Sequence, residues 1–267
     1  MPEPVKPAFV RIAHCSRLDD DLRQRYWQLL DNTERARNQR FRFRADRDRH
    51  LLGRALLRVS LAEWLGLEPH ALPLAVDEYG KPFLDAACMR GAGNAGEQID
   101  ALHFNLSHSG DWVVAALAPW PVGVDVEHTE RKNDVLSVAR HYFFGAELAE
   151  LHSFPEQEQR ERFFDYWTLK EAYMKARGEG IALGLENFGF RLCGGAAIEL
   201  TLRPGLDDDP AAWQFACLSP AADYRLALAL RSAGWAEVRV EEVLPLRSVR
   251  ALGWDMKNRA QALADSG

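Results

Sequence analysis

The sequence predicts an α+β fold, and three observations carry that expectation. Two long stretches place apolar residues at helical spacing, and several short runs carry the alternation of strands. The two kinds of segment come in blocks and do not alternate strictly, as a doubly wound sheet would require.

Residues 8–13 open the chain as a short strand. From Asp19 to about Arg44 the chain is charged, with Leu22, Trp27 and Leu30 at helical spacing and a break near Asp31, Asn32 and Thr33. Thr33 with Ala36 lacks the acidic partner of a capping box. Residues 46–66 form a stronger helix, with Leu51, Leu52, Ala55, Leu56, Val59, Ala62 and Leu65 on one face, ended by Gly66 and Pro69. Gly80-Lys81-Pro82 reads as a turn between two short extended segments. Residues 90–97 (RGAGNAGE) read as a flexible surface insertion, since they lack the lysine and following helix of a phosphate-binding loop. Strands are expected at 101–106, 112–118 and 122–127, then helices at 133–143, 145–152 and 157–177. Strands return at 187–192, 197–202, 212–218 and 223–230, with Asp207-Asp208-Asp209-Pro210 as a solvated turn. Each half thus pairs one long helix with a small sheet, which divides the chain into 1–119 and 120–267. Residues after about 238 receive no role.

The bulk properties limit the function. A chain of 267 residues with 47% hydrophobic content can bury a sizeable core and is not disordered. Its net charge of −6 argues against nucleic-acid or anionic-membrane binding by the molecule as a whole. Nine arginines nevertheless fall between Arg35 and Arg58, a candidate anion site. Phe41 and Phe43 among them give an RNA-binding module some appeal, against which the overall charge weighs. Cys15, Cys88, Cys193 and Cys217 have no metal-binding spacing and read as reduced thiols. With neither a signal-peptide pattern nor an apolar run of about 18 residues, the expectation is a cytoplasmic protein without a membrane span.

Three short constellations could carry chemistry. In Gly123-Val124-Asp125-Val126-Glu127, a strand would put Asp125 and Glu127 on one face. Paired carboxylates repel unless a cation sits between them, and hard oxygen ligands suit Mg²⁺. In Trp167-Thr168-Leu169-Lys170-Glu171-Ala172-Tyr173-Met174-Lys175, a helix puts Glu171 and Lys175 one turn apart. In Phe104-Asn105-Leu106-Ser107-His108-Ser109-Gly110, a strand ends in short polar side chains beside a histidine whose pKa lies near neutrality. Taken singly, each fits a plain structural role as well: an acidic strand face, a surface ion pair, a hydrogen-bonded turn.

Together and in this order, with GKP upstream, FNLSHS, GVDVE and WTLKEAYMK closely resemble the motifs of the Sfp-like 4′-phosphopantetheinyl transferases. The resemblance runs from about residue 34 to 192 and includes RFRFRADRDRHLLGRALLR. It implies a pseudo-twofold pair of similar α+β halves with the active site in the cleft between them, nucleotide on the N-terminal side, metal and carrier docking on the C-terminal side. It implies transfer of 4′-phosphopantetheine from coenzyme A to a serine of an apo carrier protein or domain, releasing 3′,5′-ADP with Mg²⁺ assistance. Asp125, Glu127 and Glu171 would hold the metal. Glu171, Lys175 and His108 would be catalytic. Arg37, Arg49, His50, Lys81, Ser107, His108 and Lys175 would bind coenzyme A. Glu34 stands where relatives often carry a lysine, which shifts the 3′-phosphate grip to Arg37, Arg40 and Arg49, and His50 would make binding pH-dependent. The carrier, whether of fatty-acid, polyketide, peptide or siderophore type, would dock on residues 133–153, through Arg140, His141, Tyr142, Phe143 and Phe144, unless those aromatics are core. A monomer is expected. A Mg²⁺-dependent pyrophosphohydrolase would use the same acids and lysines and is the alternative enzyme.

Overall fold

The computed structural model describes residues 6–77, 81–85, 87, 95–193, 197–232, 234 and 236–253. Gly80, Cys88 and residues 90–94 of the glycine-rich stretch lie outside these. Two compact units emerge: residues up to Trp120 together with Val240–Ala251, and Pro121–Arg239. Relative to the expected halves 1–119 and 120–267, Val240–Ala251 moves to the first unit.

In the first unit, β1 (Ala8–His14) leads into α1 (Asp20–Leu29), α2 (Asn32–Arg40) and α3 (Arg44–Leu65). A short hairpin, β2 (Leu74–Val76) and β3 (Pro82–Leu84), precedes α4 (Ala95–Asp100), β4 (His103–Ser109) and β5 (Trp112–Ala118). The strands β11 (Val238–Leu244) and β12 (Ser248–Leu252) complete a five-stranded sheet in the order β12-β11-β1-β5-β4. Within the segment left without a role, Val238–Leu244 and Ser248–Leu252 are therefore sheet. Leu52, Leu56 and Leu57 of α3 pack with Val113, Ala115 and Leu117 of β5 in one apolar core. Gly66, at φ 67°, ends α3 in the left-handed conformation that costs glycine least.

The start of α2 differs from expectation. Asp31 is the cap: its carboxylate accepts from the Glu34 amide at 2.8 Å, while Glu34 accepts from the Asp31 amide at 3.0 Å. This is a complete capping box, placed two residues before Thr33. The last three residues of the loop expected at 90–97 are helical, since α4 starts at Ala95.

The second unit holds β6 (Val122–His128), α5 (Val135–Tyr142), α6 (Gly145–Ser153) and α7 (Glu156–Arg177). They are followed by a β7 (Phe188–Cys193) and β8 (Ala197–Leu202) ribbon, then β9 (Trp213–Leu218) and β10 (Tyr224–Arg231). The sheet runs β6-β10-β9, antiparallel throughout, with Asp125 opposite Ala227 and Glu127 opposite Arg225. Its core is aromatic: Phe163, Tyr166, Tyr173, Phe188 and Phe215 are all buried. Asp208, expected on a solvated turn, is instead a buried hub whose Oδ2 accepts from Tyr173, Arg177 and Trp213 at 2.7–2.9 Å. Burial raises its pKa, but the Tyr173 hydroxyl, the Asp209 amide and Arg177 outweigh that and hold it below the usual carboxylate value. Among the described residues, no helix is long and apolar enough to cross a membrane. The thiols of Cys15 and Cys217 are free, and burial pushes Cys15 up to about 12, which keeps it protonated at neutral pH.

Candidate active site

In the second unit, β6 and α7 pack without a side chain between them. A Cβ built on Gly123 would lie 2.0 Å from the Ala172 carbonyl oxygen and 2.6 Å from the Ala176 amide. Both are backbone atoms that cannot turn aside, so glycine is required here for the close approach of helix to strand. The consequence is chemical: the turn of α7 bearing Glu171 and Lys175 comes down beside Asp125. The Lys175 ammonium lies 2.6 Å from Asp125 Oδ1 and 3.3 Å from the Val124 carbonyl oxygen. Asp125 is buried, while Lys175 keeps about a quarter of its side chain exposed.

Glu171 is held above the usual carboxylate range, at about 7. Burial is the main cause, the Asp125 and Glu127 carboxylates add to it, and Lys175 opposes it. The three predicted acids thus lie within each other's field. Glu127 is engaged by Arg131, with Nη1 3.0 Å from Oε2. Among the described residues, however, no three His, Cys, Asp or Glu side chains are drawn together as a metal cage. Two of the three acids are paired with cations of the chain, Asp125 with Lys175 and Glu127 with Arg131. The donor set itself, three carboxylates with mutual repulsion, fits a hard divalent cation.

Lys170, quoted in the helix motif with no role given to it, turns out to be structural. Its ammonium and the Glu147 carboxylate are both fully buried, 2.8 Å apart. Lys170 also donates to the carbonyl oxygens of Leu185 at 2.9 Å and Phe188 at 2.5 Å. Glu147 accepts from the amides of Phe144 and Phe190, each at 2.8 Å. The pair ties α6 and β7 to the side of α7 away from Asp125. Glu147 at the third position of α6, reaching back to the Phe144 amide, was the sequence signal available for half of it.

In the first unit, the predicted nucleotide residues cluster in part. His50 is drawn down to about 4, first by burial and then by Arg54, Arg37 and His108, which places all three within its electrostatic reach. A histidine this depressed is neutral near pH 7, so the expected pH-dependent binding through His50 is not what the site provides. Neutral His50 lies 3.2 Å from the Asn38 amide nitrogen and packs on Phe41, ring centres 5.4 Å apart. His108 is exposed on β4 and Ser107 buried beneath it, as strand alternation dictates. Arg49 is committed locally: it donates to the Gly110 carbonyl oxygen at 2.6 Å and pairs with Asp46 at 2.9 Å. Arg37, Arg40 and Lys81 are exposed, and Lys81 acts electrostatically on His103. Glu34 points inward, 2.5 Å from Arg54 and 2.8 Å from Arg58, so it neutralises buried arginines. The grip was expected to rest on neighbours of a substrate-facing Glu34; the glutamate is a core counter-ion.

The aromatic run after α5 is divided. Phe143 is buried and stacks on Phe163 at 5.1 Å, which is the core role. Tyr142 is exposed beside Trp167, and Arg140 and His141 are exposed with it.

Comparison with known proteins bears on both units. A family described as the 4′-phosphopantetheinyl transferase superfamily matches residues 121–229, and one described as 4′-phosphopantetheinyl transferase, N-terminal, matches residues 20–119. Among curated relatives, the chain is 37% identical over 204 residues to the 4′-phosphopantetheinyl transferase psf-1 of Bacillus pumilus, covering 76% of this chain and 80% of that one. It is 34% identical over 209 residues to the 4′-phosphopantetheinyl transferase HetI of Nostoc sp., covering 77% and 80%. It is 32% identical over 175 residues to the 4′-phosphopantetheinyl transferase Sfp of Bacillus subtilis, covering 66% and 72%.

Proposed function

The chain belongs to the 4′-phosphopantetheinyl transferase superfamily, and from that premise we propose how its own residues carry the reaction. The protein is an enzyme that transfers phosphopantetheine to carrier proteins. In the proposed reaction, coenzyme A is the donor. The carrier serine oxygen attacks the phosphorus bonded to the pantetheine arm, the pyrophosphate P–O bond breaks, and 3′,5′-ADP leaves with the bond electrons. The serine proton passes to the Glu171 carboxylate.

The observation that supports this reading is the convergence of β6 and α7 on Asp125. Without the metal, burial and the Asp125 and Glu127 carboxylates raise Glu171 above the usual carboxylate range, which marks it as the acid of this group most ready to hold a proton. Lys175, part exposed at the same place, is the cation available to a departing phosphate. Asp125, Glu127 and Glu171 would hold Mg²⁺, which when bound supplies charge neutralisation to the pyrophosphate. Arg37 and His108 in the first unit are assigned to the 3′-phosphate of coenzyme A. Neutral His50 would offer a hydrogen bond and no charge.

Intact-mass analysis of apo carriers incubated with coenzyme A and Mg²⁺ tests the proposal. A gain of one phosphopantetheine per carrier is expected. Release of 3′,5′-ADP from coenzyme A without any carrier would favour a pyrophosphohydrolase instead.

A further inference from the structure

We infer that Arg131 is an exchangeable counter-ion of Glu127, holding that carboxylate until a divalent cation displaces it and thereby weakening the site's affinity for the cation. This rests on the metal reading of Asp125, Glu127 and Glu171 given above.

The turn after β6 is anchored from both sides. Thr129 is buried, and its amide and hydroxyl both donate to the Asp223 carbonyl oxygen, at 2.8 and 3.1 Å. His128 meets the Asp223 carboxylate at 2.9 Å. From α7, the single guanidinium of Arg160 donates to the Thr129 carbonyl oxygen at 2.5 Å, to the Asn133 carbonyl oxygen at 3.2 Å and to Asn133 Oδ1 at 2.9 Å, and it also reaches the Arg131 carbonyl oxygen. A turn gripped on both sides in this way has a fixed backbone. Arg131 therefore projects from a set point, and its guanidinium folds back over Glu127, 3.0 Å from Oε2 and 3.3 Å from Oε1.

An ordinary surface ion pair has two exposed members and contributes little. This one is asymmetric: Arg131 is 49% exposed, whereas Glu127 is only 14% exposed. The carboxylate is the fixed member and the arginine the one that can leave into water. A single guanidinium nitrogen lying across both oxygens competes with a metal ion for the charge of this carboxylate. Lys175 does the same to Asp125, but it is also assigned to the chemistry. Arg131 is not assigned to the chemistry and, as the exposed member of its pair, is the element to vary.

The test is Mn²⁺ binding to the full chain at low ionic strength, read by the loss of the free-ion paramagnetic resonance signal, with no turnover involved. Arg131→Gln should bind Mn²⁺ about two- to fivefold more tightly than the unaltered chain, the range set by part-exposed ion pairs. Arg131→Lys, which keeps the charge, should stay within about twofold, and high salt should shrink the Arg131→Gln gain as screening grows. Lys132→Gln removes the same charge from the next, exposed residue and should leave the affinity unchanged. An Arg131→Gln affinity equal to or weaker than that of the unaltered chain overturns the inference, as does an equal gain in Lys132→Gln, which would mean a general field effect. Asp125→Asn separates the two levels: if it abolishes Mn²⁺ binding while Arg131→Gln changes nothing, only the counter-ion inference fails. If Asp125→Asn binds Mn²⁺ normally, the metal reading itself is wrong.

Discussion

On one side of α7 the Lys170 ammonium is fully buried against Glu147 and two carbonyl oxygens; five residues on, Lys175 is part exposed and reaches Asp125. Both lysines come from one short motif and both pair with an acid. Their surroundings give them different work. Lys170 is saturated with acceptors and closed off from water, so burial lowers its pKa while Glu147 opposes the change. Lys175 meets the Asp125 carboxylate, acts on Glu171 and keeps about a quarter of its side chain exposed, so this cation stays within reach of an incoming anion. An acid–lysine pair is architecture where every donor is satisfied and water is excluded, and it is chemistry where one side stays accessible.

Substitution can break that contrast. The largest effect on stability is expected for Lys170→Ala, which leaves the Glu147 carboxylate buried and unmatched: about 3–5 kcal/mol should be lost in denaturant unfolding. Replacing both partners with apolar residues of similar volume, Lys170→Met with Glu147→Leu, should recover most of that loss, since a buried pair gives little net stability. If the double variant is as unstable as the single one, the pair does more than architecture. Gly123→Ala should rank next, at about 1–3 kcal/mol or more for overpacking. Because it pushes α7 off β6, its activity should fall further than its stability alone explains.

Lys175→Met should show the opposite profile to Lys170→Ala. Its kcat should fall about 10²- to 10³-fold, the cost of removing a positioned charge, with a much smaller loss of stability. Comparable stability losses in the two variants would erase the distinction between the two lysines.

Glu171 and His50 give smaller effects with defined signs. A carboxyl raised to about 7 keeps a proton in the folded state that the unfolded chain releases from about 4.5 upward. Folding stability is therefore lost as pH rises through that window and stays reduced above it. In chelator, Glu171→Gln should gain stability over the unaltered chain progressively from pH 4.5 to 7, then hold a constant gain. His50 runs the other way: it resists protonation until about 4, while the unfolded histidine charges near 6.5. Its contribution is lost as pH falls through that interval, so His50→Asn should flatten the acid side of the stability curve. Coenzyme A affinity between pH 6 and 8 should keep the same pH profile in His50→Asn.

How much of this could be read from the sequence depends on the range of the interaction involved. The helices α3 and α7 declare themselves by local periodicity, and Gly66 and Gly178 mark their ends. The acids of β6 share a face because strand geometry is local too. Glu34 looked like a substrate position because its partners, Arg54 and Arg58, stand 20 and 24 residues away. Its spacing from Asp31 was nevertheless a legible capping box. Asp208 was taken for solvent-exposed because nothing nearby announces that Tyr173 and Trp213 will converge on it. The start of β11 has a local signal in Val238 and Val240 flanking Arg239, but its place beside β1 has none, since pairing across more than two hundred residues leaves no local mark.

The central claim is that the β6–α7 contact is where transfer takes place, with Glu171 accepting the serine proton. Single-turnover transfer to an apo carrier, followed by intact mass with coenzyme A and Mg²⁺ saturating, tests it most directly in Glu171→Gln. The account predicts a rate at least about 10²-fold below that of the unaltered chain, with coenzyme A still bound and the fold intact. Transfer at an undiminished rate would contradict it.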